Sequence, residues 1–187
     1  MPHLGGAPKK TNAMPTAVAV SPNSTRIAFV HTSYGYKDNH TEQSVTLADA
    51  SGKVRQFDES RLNVKAKQTY SFGISFSTDG KHLYVPLASE SDPTGKQTGS
   101  TGNAIGVYAV ARRSLKLERL IPLPLVKLSD GKSAWQLGKD VPAGQQLPFP
   151  AGIASFTRDG NEKLLVAEQI SDSAAILDVQ SGHLDSR

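Results

Sequence analysis

Catalysis needs groups that attack, carry protons or hold metals, and this chain carries such groups singly. Its 187 residues include no cysteine, which excludes disulfide frameworks, thiolate zinc sites, iron–sulfur clusters and cysteine nucleophiles. The five histidines, His3, His31, His40, His82 and His183, form neither H-x-H nor H-E-x-x-H spacing, so the familiar two-histidine metal grips are missing. The carboxylates stand apart from one another. Asp79 and Asp159 are each followed by glycine, and turn formation accounts for them without chemistry. Asp49 and Asp178 precede turns and have the same explanation. Thr94-Gly95-Lys96-Gln97-Thr98-Gly99 has the outline of a phosphate loop, but Glu90 stands where the leading glycine belongs and Gln97 follows the lysine. The pattern fails, and a flexible loop is expected there. Asn23-Ser24-Thr25 and Asn39-His40-Thr41 match glycosylation triplets, which are common by chance. The cluster Arg112, Arg113, Lys116 and Arg119 suits an anion, or equally an exposed outer strand on which positive charge discourages edge pairing. No catalytic residue, metal site or cofactor is expected from these residues.

The elements that would position such groups are much plainer. Three stretches repeat: Pro15 to Ser24 followed by Ile27-Ala28-Phe29-Val30, Ser71 to Gly80 followed by Leu83-Tyr84-Val85, and Phe149 to Gly160 followed by Leu164-Leu165-Val166-Ala167. Each reads as a strand, a tight turn and a second strand, with Asp-Gly as the strongest short hairpin signal. Asn23-Ser24 is the weaker version, since serine resists the positive φ that glycine takes freely. A third strand follows each hairpin: Ser44 to Asp49, Ala104 to Val110 and Ala174 to Val179. A fourth follows in the first two units, and the third unit reaches Arg187 where its fourth strand should begin. Four short antiparallel strands per unit make a propeller blade. The turn positions 21, 77 and 157 are 56 and 80 residues apart, against roughly 40–50 for a usual blade. Insertions at Ser89–Asn103 and Leu125–Leu147, the latter with Trp135, take up the difference. No segment has helical periodicity with caps.

The expected fold is all-β, a partial β-propeller of about three four-stranded antiparallel blades. An N-terminal extension covers 1–14 and the partial propeller 15–187, with blades at about 15–70, 71–148 and 149–187, the last incomplete. Apolar residues make up 37% and charged residues 20% of the chain, enough for a packed core. The net charge of +4 is a mild excess, and no nucleic-acid partner is expected. No apolar run approaches the ~20 residues of a membrane span, and the first residues lack the apolar stretch of a signal peptide.

These repeats resemble the YVTN-type propeller family (YncE-like, seven-bladed), whose blades read roughly P-x-G-I-A-V-S-P-D-G-K-x-L-Y-V-A-N and then V-x-V-I-D-x-x-T-G-K. The likeness is carried by Ala17 to Asn23, Gly73 to Val85, Gly152 to Ala167, and Ile176 to Gly182. Ile27 to Gly35 also resembles the first blade of propellers placed ahead of alkaline-phosphatase-like phosphoesterases. Where the family has asparagine after Y-V-A, this chain has His31, Leu87 and Glu168. The resemblance implies that Glu168 points toward the ring centre, and it suggests a periplasmic or secreted location.

Three blades cannot close a ring that needs four to eight, so the chain is expected to be the N-terminal part of a longer protein whose remaining blades complete it. The leading function is a non-catalytic binding or interaction module. The alternatives are an accessory domain of a phosphoesterase whose catalytic domain lies elsewhere, or a lactonase-like propeller enzyme. The candidate ligand-binding residues are His31, Tyr34, Tyr36 and Glu168. The partner would be a protein or small molecule at the channel mouth, formed by the loops 31–40, 87–103 and 168–173.

Overall fold

The structure, a computed structural model, describes residues 15–32, 43–49, 51, 53–58, 69–111, 114–129 and 141–187. Among them there is no helix, and the strands form three antiparallel units of blade topology. The chain is all-β, a partial propeller. The first unit runs in order β1 (Pro15–Val20), β2 (Arg26–His31), β3 (Ser44–Asp49) and β4 (Val54–Asp58). In the second, β7 (His82–Ala88), β8 (Ala104–Val110) and β9 (Leu115–Pro122) follow a first strand broken into β5 (Thr69–Tyr70) and β6 (Ser75–Phe76). Both pieces pair with β7. The third unit is β12 (Pro150–Arg158), β13 (Asn161–Glu168), β14 (Ser173–Asp178) and β15 (Leu184–Ser186). A small ribbon, β10 (Val126–Lys127) with β11 (Gln145–Gln146), rises within the second insertion.

Two sequence expectations change here. The third unit does have a fourth strand: β15 pairs with β14 through Ile176↔Ser186 and Leu177↔Leu184. The first strand of the second unit is interrupted around Gly73. A Cβ built there would lie 2.2 Å from the Ala151 carbonyl oxygen, so the backbones of two neighbouring units approach closely at that point.

Hydrophobic alternation fixes how the sheets stack. Leu83, Val85 and Leu87 of β7 pack with Ala28, Val30, Val45 and Leu47 of the first unit. From the other face of the second unit, Tyr84, Ile105 and Val107 pack with Leu164, Val166, Ala175 and Leu177 of the third. Period-two side-chain alternation thus buries both faces of the second unit between its neighbours. The outer units each bury one face.

The hairpin turns differ in a physically readable way. In the first two units a serine caps a four-residue loop: Arg26 N donates to Ser21 Oγ at 3.0 Å, and His82 N donates to Ser77 Oγ at 2.8 Å. Asn23 and Asp79 complete these loops by accepting from Thr25 N and Lys81 N. Only one residue of each loop needs positive φ, Ser24 at 56° and Gly80 at 73°. In the third unit Asp159 and Gly160 both take positive φ, 52° and 75°, in a two-residue turn between Arg158 and Asn161. At the other end of that hairpin the register shifts by one residue of β12 between Pro150 and Ile153, as it does in the first unit between Pro15 and Ala17.

Candidate functional site

The loops that follow the second strands emerge at one end of the sheets, with the hairpin turns at the other. His31 ends β2 at the loop end, paired in register with Ser44. Its ring is buried, and Nε2 lies 2.9 Å from Thr46 Oγ1 on the neighbouring strand. Tyr34 and Tyr36 lie outside the described residues.

Glu168 ends β13 at the same end of the third unit. Its side chain is 0% exposed, against 15% for its partner Arg187. Arg187 grips it as a fork, with Nε to Oε2 at 2.8 Å and an Nη to Oε1 at 2.7 Å. Ser173 Oγ donates to Oε2 at 2.7 Å, and Ser171 Oγ lies 2.7 Å from Ser173 Oγ. The same guanidinium donates to the Pro124 carbonyl of the second unit at 3.1 Å. Glu168 is thus tied to Ser173 at the start of β14 and to Arg187 just past β15, the strand farthest from β12. Sequence reasoning missed Arg187 because a bidentate partner 19 positions away leaves no local signal.

The insertion at Ser89–Asn103 is folded on itself rather than loose. Asn103 Oδ1 accepts from Ser89 N at 3.0 Å while its amide nitrogen donates to the Ser89 and Pro93 carbonyls. Asp92 is buried, and its two oxygens accept from Lys96 N and Gln97 N, each at 2.8 Å. Burial opposes its ionisation, but these backbone N–H groups and the Ser100 hydroxyl hold its carboxyl below the usual range. The backbone donors that a phosphate loop would aim at a ligand are thus satisfied by a carboxylate of the same loop.

Polar contacts between the second and third units are also concentrated. Glu162 accepts from Thr78 N at 2.6 Å and from the Tyr84 hydroxyl at 2.8 Å. Burial and then this carboxylate push the Tyr84 hydroxyl far above its ordinary range, so it stays a neutral donor. Arg119 donates to the Val179 carbonyl, and this arginine joins two units instead of decorating a free edge. Arg112 and Arg113 lie outside the described residues. Among the described residues, three buried hydroxyls at the loop end, on Thr32, Ser44 and Ser71, find no hydrogen-bond partner. Among the described residues, no three His, Asp or Glu side chains gather closely enough to hold a metal ion.

No protein-family model matches the chain, and no curated protein matches it. Among solved structures, a periplasmic gluconolactonase of Pseudomonas aeruginosa aligns with a TM-score of 0.49 and 14% identity, over 91% of this chain. The chain spans 41% of that structure's length.

Proposed function

We propose that this chain is a non-catalytic propeller segment, a binding or interaction module within a longer protein whose further blades complete the ring. The observation that carries the reading is the state of the two described candidates: His31 and Glu168 are both fully buried and engaged by neighbours. A general base or metal ligand must reach its substrate, and these two side chains serve the packing of their own sheets. Recognition then falls to the loop end, where Ser89–Asn103 presents a pre-formed surface on a rigid scaffold. A protein or small-molecule ligand would sit there, across the loops 87–103 and 168–173; of the loop 31–40, residues 33–40 lie outside the described residues. The YVTN-type resemblance, with its periplasmic or secreted location, belongs to the same reading.

The test asks whether this chain itself carries chemistry and so separates the reading from the lactonase alternative; an accessory domain of a phosphoesterase whose catalytic domain lies elsewhere would be inactive as well. The purified chain is assayed with an aryl phosphate and an aldonolactone, and background hydrolysis is expected for both. Turnover that disappears in His31→Ala or Glu168→Ala would overturn the reading.

A further inference from the structure

At the turn end, away from those loops, the seam between the first two units opens into a small, half-open recess. Arg26, Asp49, Lys53, Arg55 and Phe57 line it from the first unit, and Ser114 faces them from the second. Register puts them together. Arg26 pairs with Asp49, Arg55 with Leu47, and Phe57 with Val45. Paired residues share a sheet face, and here it is the face whose Val45 and Leu47 pack against the second unit.

The charges do not balance. Among the described residues, three cations face one carboxylate: Asp49, whose Oδ1 accepts from Ser51 N, Ser51 Oγ and Lys53 N at 3.0, 2.5 and 3.0 Å, attracts Lys53 and leaves the arginine charges in excess. Among the described residues, the ion pairs engage other partners, and none includes Arg26, Lys53 or Arg55. Leu47 and Phe57 give the pocket an apolar wall, which strengthens the field of the cations beside it. Arginine forks match the geometry of oxyanions, and lysine adds a mobile point charge.

We propose that this pocket binds a small oxyanion, a phosphate group either free or carried on a larger molecule, held by Arg26 and Arg55 with Lys53 at the rim. This site does not rest on the function proposed above. Because its walls come from two units, an occupant ties the first sheet to the second and stabilises the folded chain by linkage.

Calorimetric titration of the whole chain with inorganic phosphate, at an ionic strength fixed with chloride, should show saturable binding. Arg55→Gln should weaken it at least tenfold and abolish a phosphate-dependent rise in melting temperature. Arg158→Gln, at the exposed turn of the third unit, should change neither. Phenyl phosphate is titrated in parallel. Tighter binding assigns the site to a carried phosphate group and weaker binding to the free ion, and both outcomes support the proposal. If circular dichroism shows that Arg55→Gln does not fold, Lys53→Gln carries the test with an expected loss of several-fold. Unsaturable heats with both probes, or equal affinity in the wild type and the folded pocket variants, would overturn the proposal.

Discussion

At the scale of single residues, the buried ion pair shows how local sequence can name a group and still miss its role. Glu168 and Arg187 form a forked, desolvated pair, and removing one partner of such a pair leaves an uncompensated charge indoors. Arg187→Met should therefore destabilise the chain by about 3 kcal/mol, while adding Glu168→Leu should restore much of the loss. Urea unfolding of the three proteins checks it; equal stability of wild type and Arg187→Met would refute the pair's role. Asp79 makes a second case. The Lys81 backbone N–H, then the Ser77 hydroxyl, hold its pKa at about 2. A carboxyl depressed in the folded state contributes stability above its unfolded pKa of ~3.9 and loses it as pH falls toward the folded value. Melting temperature should thus drop between about pH 4 and pH 2 partly through this group. In the first unit the equivalent place is held by Asn23, which accepts the same kind of bond without titrating. Asp79→Asn should keep the turn and flatten part of that acid limb, and an unchanged pH profile would show that other carboxyls dominate. Turn roles such as Asp79's are legible in sequence because their partners lie within a few positions. Glu168 is not, since its partner comes from another strand.

At the scale of elements, the repeat of strand, turn and strand is readable because period-two burial and Asp-Gly turns are local signals. The register and the unit-to-unit contacts are not local, and the differences arise there. The break between β5 and β6 coincides with Gly73, whose missing side chain lets the Ala151 carbonyl approach. Gly73→Ala would force two backbones apart, and a cost of about 2 kcal/mol or more is expected. Gly160→Ala is the control. Its φ is +75° and nothing lies within 4 Å of a built Cβ, so only the left-handed conformation is penalised, by about 1 kcal/mol. Chemical unfolding should rank the two in that order, and the reverse ranking would mean that the close approach relaxes freely. The Ser89–Asn103 insertion gives the same lesson. Its glycine-, serine- and threonine-rich composition reads as a flexible linker, yet Asp92 and Asn103 organise it through hydrogen bonds whose geometry no composition reveals.

At the scale of the whole molecule, the three units are unequal. The second is covered on both faces, while each outer unit has an apolar face turned away from the others. On the first unit, Val18 is 60% and Val20 57% exposed; on the third, Leu165 is 45% exposed. Register extends both patches. Val18 pairs with Phe29 and Val20 with Ile27, while Leu165 pairs with Ala154 on one side and Ile176 on the other. In stacked repeats a unit buries its core only against neighbours, so such faces are the normal seats of further units. Expressed alone, this chain should satisfy them with other copies of itself, because apolar sheet faces of this kind favour association. Sedimentation velocity over a hundredfold range of concentration should show reversible or progressive self-association, and the melting transition should shift with concentration. Charge placed on one face should act selectively: Val18→Lys with Val20→Glu should weaken association through the first unit. Leu165→Lys should weaken it through the third. Neither should disturb the two internal seams, whose cores lie on the opposite sides of those strands. A monomer with a sharp, concentration-independent transition would show that the three units are self-sufficient and that these faces await no partner.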